Sequence, residues 1–306
     1  MRESPTMTHR LNILCALWLL ATAALPARAA APLVLYTDFG LGDGAVSAMK
    51  GVAYGVSQSL LISDLSHQDP GSLFAGAYRL YQVENYWPAG TVFVTVIDPG
   101  VGTDRLSVVL QTKTGHYFVA PNNGLLTLVA ERDGIQALRQ VDESVNRLPG
   151  SEESYTFHGR DVFGYTGARL AAGVISFEQV GPLLPPETLI SIPYRHPAQQ
   201  DGRLTGIVPV LDIAYGNVWT NIPKTLFDQL GVPYGNPVRL TFFRNGRRVH
   251  SVTAPYQRTF GDVPVGRPVV YINSLLCVAL ALNQGNYAAA HRIGSGVDWT
   301  VEIAKP

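Results

Sequence analysis

Three aspartates stand where the chain leaves runs of strand-forming residues: Asp38, Asp64 and Asp98. The runs are rich in aliphatic and β-branched residues, and they cover 33–37, 60–63 and 91–97. Parallel strands end at one edge of a sheet, and α/β proteins bind ligands at that edge. Carboxylates gathered there would bind hydroxyl groups or transfer protons. The alternative is that each aspartate caps the following helix, and we expect at least one of the three to be only a cap.

The densest polar segment covers residues 98–105 and is bounded by Asp98 and Arg105. A proline and two glycines between them bend the backbone tightly and let it approach a ligand. The bend would bring the carboxylate and the guanidinium together, either within a site or as a salt bridge that pins a loop. The spacing alone favours neither interpretation.

Two further segments combine side chains that bind polar ligands. Residues 156–161 join His158 to an arginine and an aspartate, so this histidine would be a base, a ligand or a structural hydrogen-bonding group. Residues 212–222 bring a carboxylate, two aromatic rings and amide side chains together. Stacking faces and hydrogen bonds to base edges are what a nucleobase requires. The alternative for this second segment is a turn within a β domain.

Metal binding is a rival interpretation of these segments. His67, His116 and His158, with Asp64, carry side chains that coordinate metals, but their spacing matches no zinc pattern. No glycine-rich phosphate loop precedes a predicted helix. We therefore expect a site without a metal.

The elements that must position these residues alternate between strand and helix. Predicted helices near 46–56 and 72–86 separate the three strands, which indicates a mostly parallel sheet with helices on its faces. Residues 144–200 are rich in proline and are predicted to be irregular. Beyond them, short strands alternate with turns, at 206–210, 238–244, 248–254, 268–272 and 299–303. The predicted fold is an α/β N-terminal domain over 30–200 and a smaller all-β C-terminal domain over 201–306.

The composition is that of a globular protein, with 46% hydrophobic residues, 15% charged residues and a formal net charge of +0. This balance argues against a nucleic-acid surface. Residues 1–29 combine basic residues, a short apolar run and an A-x-A pattern, which indicates a signal peptide, with an uncleaved anchor as the alternative. We expect a periplasmic or secreted protein with no membrane segment after cleavage. Cys277 is then a lone, buried thiol without an internal disulfide.

Taken together, the segments resemble one family, the S-adenosylmethionine hydroxide adenosyltransferases. These enzymes are adenosine-forming hydrolases of S-adenosylmethionine and relatives of fluorinating and chlorinating enzymes. The segments stand in the family's order and span almost the whole mature chain: 37–40, 64–67, 98–105, 120–124, 156–161, 215–222, 273–274 and 283–286.

The resemblance implies an α/β N-terminal domain, a β C-terminal domain and a homotrimer. It implies that the substrate lies between the N-terminal domain of one subunit and the C-terminal domain of the next. It also implies a catalytic set around the attacking water at Asp98, Arg105 and His158. The implied substrate-binding positions are Asp38 at the ribose hydroxyls, Asp43, Asp212 and Ser274 near the methionine moiety, Tyr215 and Asn217 at the adenine, and Phe157 beside the nucleoside.

The chemistry of the substrate fits these roles. S-adenosylmethionine is a sulfonium cation with an activated leaving group, so its cleavage at C5′ needs no metal, no cofactor and no acid on sulfur. An enclosed and aligned water supplies the missing nucleophile. Arg105 would stabilise hydroxide character, Asp98 would orient Arg105, and His158 would hydrogen-bond the water or relay its proton. The expected products are adenosine and L-methionine, and the group that removes the proton is left open.

Two rival functions stay open. The family's halogenases carry other residues in place of Asp98 and His158, and a small hydroxyl residue in place of Gly159, so the resemblance favours hydrolysis. Export would separate the protein from a cytoplasmic metabolite. This motivates a secreted protein that binds an adenosine-like or S-adenosylmethionine-like ligand with little turnover, or an enzyme for another sulfonium or 5′-substituted nucleoside.

The chain departs from the family's pattern at a few positions. Asn122 replaces an aspartate and bears on local geometry. Leu276 and Ala279 stand where the family carries a glycine and a glutamate, and they bear on the contacts to adenine or methionine.

Overall fold

The computed structural model describes residues 30–68 and 70–306. The predicted signal peptide, residues 1–29, lies outside the described residues. Within the part of the chain that is described, no helix is long and apolar enough to cross a membrane.

The N-terminal domain is built on one large sheet. Its strands are β1 Leu33–Thr37, β2 Ile62–Ser66, β3 Val92–Val96, β4 Ser107–Thr112, β5 Tyr117–Pro121, β6 Ile135–Gln140 and β7 Leu183–Leu184. Their spatial order is β2-β1-β3-β5-β4-β6-β7. The pairings from β2 to β5 are parallel, and those from β5 through β4 and β6 to β7 are antiparallel. The sheet changes from parallel to antiparallel pairing at β4 and β5. Only a short turn joins these two strands, which permits a hairpin but not the longer crossover that a parallel pair needs.

Helices cover both faces of this sheet. They are α1 Ala45–Val56, α2 Leu73–Val83, α3 Thr127–Asp133, α4 Glu143–Asn146 and α5 Tyr165–Ala171. Successive residues of β1 point to opposite faces, so Leu33 and Leu35 pack with α1 and α5, whereas Val34 packs with α2 and α3. The predicted α/β class is confirmed, including the positions of the first strand and the first two helices.

Two predictions for this domain were wrong in detail. The strand predicted at 60–63 lies at Ile62–Ser66, so Asp64 sits inside edge strand β2 rather than beyond its end. Its carboxylate there accepts a 2.6 Å hydrogen bond from Lys50 Nζ. The stretch 144–200, predicted to be irregular, contains a π-helical turn at Gly159–Gly164 that continues into α5. The prolines that suggested irregularity flank this helical segment and do not interrupt it.

The C-terminal domain contains two antiparallel sheets. Its strands are β8 Ala198–Gln200, β9 Arg203–Val208, β10 Val218–Pro223, β11 Pro237–Arg244, β12 Arg247–Pro255, β13 Pro268–Ile272, β14 Cys277–Leu282 and β15 Gly296–Ala304. The orders are β10-β14-β13 and β12-β11-β15-β9-β8. Two short helices, α6 Lys224–Phe227 and α7 Tyr287–His291, complete it. The predicted β character is confirmed, although β10 and β14 were not expected.

An apolar cluster joins the two domains. Phe74 and Tyr78 of α2 pack in it with Ile207, Trp219 and Tyr271 of the C-terminal sheets. These side chains are each at most 8% exposed. This burial fixes α2, and with it one edge of the N-terminal domain, against the β domain.

Candidate active site

A tight loop after β3 brings Asp98 and Arg105 together. Val101 N donates to Asp98 O at 3.3 Å and Thr103 N donates to Gly100 O at 3.1 Å, so two consecutive turns fold the segment back on itself. Gly102 has a φ of +79°, which a glycine adopts without strain. The bend that brings Asp98 and Arg105 together therefore requires a glycine at position 102.

The Asp98 carboxylate clamps the Arg105 guanidinium. Arg105 Nε donates to both carboxylate oxygens at 2.9 Å, and Nη2 also donates to Oδ2. The Arg105 and Asp98 side chains are only 9% and 4% exposed. Charge-assisted hydrogen bonds shielded from water hold a guanidinium in one orientation. The pair is thus more than a surface salt bridge that pins a loop.

His158 completes this group on the side of Arg105. The imidazole lies at the start of the π-helical turn, and its Nδ1 is 3.3 Å from Arg105 Nη2. Because a guanidinium nitrogen only donates, Nδ1 accepts and the ring proton is on Nε2. Nε2 is buried without a hydrogen-bond partner among the described residues. Burial, followed by the positive charge of Arg105, lowers the pKa of His158 below 6.5, which keeps the ring neutral.

Further side chains that the sequence did not single out hold Arg105 in place. Nη1 lies 3.5 Å from Ser107 Oγ, which in turn donates to Glu143 Oε1 at 3.2 Å. The ring of Phe163 lies beneath the guanidinium, 5.1 Å from its carbon. The sequence spacing could have indicated Ser107. It follows Arg105 by two residues, and in an extended chain such residues point to the same side.

Asp38 lies beside this group because β1 and β3 are neighbouring parallel strands. Thr37 pairs with Val96, so the residues that follow the two strands emerge side by side. Asp98 N donates to Asp38 Oδ2 at 3.4 Å. The sheet edge thus gathers Asp38 and Asp98, as predicted, but not Asp64.

Two aromatic rings pack at the start of the π-helical turn: Phe157, which precedes His158 in the chain, and Phe39, which packs on Gly159. Phe39 and Phe157 meet edge to face with their centroids 5.7 Å apart, and the Arg160 guanidinium covers Phe157 at 4.8 Å. Asp161, fully buried, holds Arg160 through a 2.6 Å hydrogen bond. A Cβ at Gly159 would lie 2.6 Å from Phe39 Cζ, so the ring packs directly on the glycine backbone.

Asp43 is exposed and closes a local turn at the beginning of α1. Its Oδ1 accepts a hydrogen bond from Ala45 N at 2.8 Å. This bond satisfies one of the backbone N–H groups that the start of a helix leaves without an intrahelical partner. Asp43 is therefore placed near the start of α1, on the polypeptide that follows Asp38.

The second group of predicted residues belongs to the C-terminal domain. Asp212 Oδ1 accepts from Ala214 N at 3.0 Å and from Tyr215 N at 3.3 Å, closing the turn before β10. Asn217 is buried at the end of this turn, whereas Tyr215 is 68% exposed. Ser274 is exposed in the turn between β13 and β14. Residues 212–222, for which the sequence allowed either a turn or a nucleobase site, form a turn that leads directly into the buried strand β10.

The two groups line different cavities of one chain. Arg105 and His158 line a cavity of about 480 Å³. Tyr215 and Asn217 line another of about 660 Å³, together with Phe260. A single chain therefore assembles the Asp–Arg–His group and the aromatic–amide group separately.

The histidines considered as metal ligands are engaged elsewhere. His67 Nδ1 is 2.8 Å from Thr37 Oγ1, and His116 Nε2 is 3.0 Å from the carbonyl oxygen of Trp87. Across the described residues, no group of three or more His, Cys, Asp or Glu side chains is placed to hold a metal ion.

Comparison with known proteins identifies matching families and relatives. The chain matches the SAM hydroxide adenosyltransferase N-terminal domain over residues 33–181 and the corresponding C-terminal domain over residues 206–300. A fluorinase from Actinoplanes sp. is 30% identical over 305 residues, covering 92% of this chain and 100% of the relative. An (R)-S-adenosyl-L-methionine hydrolase from Salinispora tropica is 36% identical over 254 residues, covering 82% and 90%. The crystal structure of an uncharacterized conserved protein from Thermotoga maritima matches with a TM-score of 0.80 and 34% identity, covering 89% of this chain and 100% of that one.

Proposed function

The chain belongs to the SAM hydroxide adenosyltransferase family, and on that premise we propose that it hydrolyses S-adenosyl-L-methionine at ribose C5′ to adenosine and L-methionine. Relatives of similar identity are named for hydrolysis and for fluorination, so the choice between the two reactions rests on the site itself.

The observation that carries the proposal is the arrangement of Asp98, Arg105 and His158. Arg105 is held in one orientation by Asp98 and turns an N–H toward His158. His158 Nε2 is buried and has no partner among the described residues. A buried N–H donor costs free energy unless it finds an acceptor, so His158 Nε2 would bind an oxygen of water or substrate on the side of the ring that faces away from Arg105. The remaining N–H groups of Arg105 would stabilise negative charge on an oxygen beside the guanidinium.

The reaction then requires little more than positioning. The oxygen attacks C5′ on the side opposite sulfur, the C5′–S bond breaks, and its electron pair neutralises the sulfonium. One proton is released from the attacking oxygen as the C–O bond forms. Asp38 binds the ribose hydroxyls with charge-assisted hydrogen bonds and fixes C5′ relative to Arg105. No metal is needed, because the leaving group departs as a neutral thioether.

The packing around Gly159 disfavours the small hydroxyl side chain that the family's halogenases carry at this position. A small hydroxyl residue at this position, as in the family's halogenases, would place its Cβ 2.6 Å from the ring of Phe39. The ring would have to move before such a side chain fitted. In this chain no hydroxyl group at position 159 meets the nucleophile, and the N–H groups of Arg105 are the donors proposed for it.

We propose further that a neighbouring copy of the chain completes the site, in a homotrimer. Tyr215 and Ser274 are exposed in the single chain, and they lie on a different domain from Arg105. An exposed tyrosine beside a buried amide offers an adenine one stacking face and hydrogen bonds, and a second surface over the base would enclose it. The N-terminal domain of a second copy supplies that surface.

The experiment is product analysis with purified protein and each sulfonium epimer of S-adenosyl-L-methionine. Hydrolysis predicts equimolar adenosine and L-methionine, unchanged by a chelator and by added chloride or fluoride. A 5′-halogenated nucleoside would support the halogenase instead. Tight binding without products would support a ligand-binding protein, and loss of activity in chelator with recovery on adding metal would overturn metal independence.

A further inference from the structure

We propose that a cavity at the junction of the two domains, distinct from the residues of the active site, binds a small organic cation of the quaternary ammonium class. The cavity has a volume of about 530 Å³. The side chains that carry the argument are Phe74, Tyr78, Tyr81, Glu131, Tyr194 and Leu276. None of the proposed catalytic or substrate-binding residues lines it, although Leu276, a departure from the family's pattern, does.

Aromatic rings form the floor and walls of this cavity. Phe74 and Tyr194 pack with their centroids 5.0 Å apart, and Tyr78 and Tyr81 pack at 5.8 Å. The Arg132 guanidinium already lies 4.0 Å from the centroid of Tyr81. Tyr194 also packs with His196 at 4.4 Å. Aromatic side chains that line one space offer electron-rich, apolar surface to a methylated cation.

The charges around the cavity favour a cation as well. Tyr194 donates to Glu131 Oε2 at 2.6 Å, a hydrogen bond that leaves the carboxylate its negative charge. In the described part of the chain no ion pair involves Glu131, whereas Arg132 is paired with Glu84 and Lys224 with Asp228. The cations near the cavity are thus neutralised by their own partners, and the unbalanced charge is that of Glu131.

Leu276, one of the departures from the family's pattern, lines the same cavity. Its φ is +57°, a conformation in which glycine is unstrained and leucine is not. Its side chain is nonetheless 64% exposed, so ordinary core packing does not offset the strain. Strain of this kind persists at sites that bind ligands, and here it places an apolar wall beside the aromatic rings.

The test is calorimetric titration of the full chain with choline and with its neutral isostere 3,3-dimethylbutan-1-ol. We expect choline to bind at least about tenfold more tightly than the isostere. Glu131→Gln should weaken choline binding by about tenfold, and Leu276→Gly should weaken it severalfold. Glu187→Gln, which alters an exposed glutamate outside the cavity, is the matched control and should bind choline as the parent does.

Equal affinity for choline and the isostere, or unchanged choline binding in Glu131→Gln, would overturn the proposal. So would the absence of measurable binding at millimolar choline. Circular dichroism of each variant separates loss of the site from loss of the fold. Turnover of S-adenosylmethionine measured in parallel keeps the two proposals apart, because Glu131→Gln should leave it unchanged whether or not choline binds.

Discussion

Arg105 is the residue on which the proposed chemistry turns. Asp98 accepts hydrogen bonds from Nε and Nη2 of Arg105. The same guanidinium has further N–H groups for His158 and for an oxygen beside it. The neutral His158 adds an N–H without adding a second positive charge. The positive charge of Arg105 is therefore balanced by the negative charge of Asp98, while Arg105 still has an N–H to donate. This arrangement suits a hydroxide-like oxygen next to a positively charged substrate.

Arg105→Ala should lower kcat by about a hundredfold to a thousandfold and change KM little, because this donor acts on the nucleophile in the transition state. Arg105→Lys should recover little of the loss, since an ammonium cannot contact Asp98 and His158 with a planar fork. Asp38→Ala is the comparison and should instead raise KM by about tenfold or more. Steady-state kinetics on both variants checks this, and a normal kcat for Arg105→Ala would remove Arg105 from the mechanism.

The pH dependence follows from His158. Its pKa is lowered below 6.5 by burial and then by Arg105, so the neutral ring predominates at pH 6.5 and above. We expect kcat to be constant there and to fall only as the pH drops below 6.5 and the ring takes up a proton. Protonation removes the acceptor that faces Arg105. His158→Gln should abolish this acid limb, and a limb that persisted in the variant would assign it to another group.

At the scale of residues, the sequence predicted that Asp38 and Asp98 share a sheet edge, but it wrongly placed Asp64 there, and only the family resemblance joined His158 to Arg105. Asp98 and Arg105 were expected to meet, because the proline and glycines between them predict a tight bend. Glu143 and Phe163 could not be expected, since they come from distant parts of the chain. Glu143 follows β6, which pairs with β4, and it reaches Ser107, whereas Phe163 reaches Arg105 from the π-helical turn.

At the scale of elements, the site depends on two parallel neighbours, β1 and β3, and on the helical segment that covers them. The register of β1 with β3 sets Asp38 beside Asp98. α5 crosses this pair so closely that a Cβ at Gly167 would lie 2.3 Å from Val94 Cγ2. The π-helical turn that carries His158 runs directly into α5, so this close packing also fixes the histidine.

Gly167→Ala should destabilise the protein by about 1–3 kcal/mol, because the new methyl group overlaps the side chain of Val94. Gly55→Ala is the matched control. Gly55 lies in α1, and a Cβ at this position would have nothing within 4 Å, so alanine should be neutral or stabilise by up to about 1 kcal/mol. Urea unfolding followed by circular dichroism distinguishes the two. Equal stability of the variants would mean that α5 does not approach β3 so closely.

The elements that were predicted correctly are those whose apolar residues are buried together, such as β1, β3 and α1. β2 was misplaced because Leu60 and Leu61 extend the apolar run before the strand begins. β10 escaped prediction because its polar residues suggested a turn. Thr220 and Asn221 in fact satisfy backbone groups within the sheets, Thr220 by donating to Val278 O and Asn221 by accepting from Ile207 N.

At the scale of the whole molecule, the proposed function divides the reaction between the two domains. The N-terminal domain carries the proposed nucleophile site, and the C-terminal domain carries the aromatic and amide groups proposed for the adenine. The apolar junction between the domains holds them rigidly within a chain. Under our proposal, the reaction therefore takes place between chains, and the cavity at the junction remains free for a different ligand.

Mixing two inactive variants tests this division. Arg105→Ala spoils the N-terminal part of a site and Asn217→Ala spoils the C-terminal part. Chains co-expressed in equal amounts would pair an intact half of each kind in about a quarter of the sites, so about a quarter of the parental activity should return. Each variant alone should stay inactive. No recovery in the mixed oligomers would place the whole site within one chain.

The most direct test of the central claim is hydrolysis of S-adenosyl-L-methionine in water enriched in oxygen-18, with mass spectrometry of both products. Attack by an enclosed water at C5′ predicts one heavy oxygen in the 5′-hydroxyl group of adenosine, none in methionine, and loss of the labelled product in Arg105→Ala. Label in any other position, or undiminished labelled adenosine from Arg105→Ala, would contradict the account.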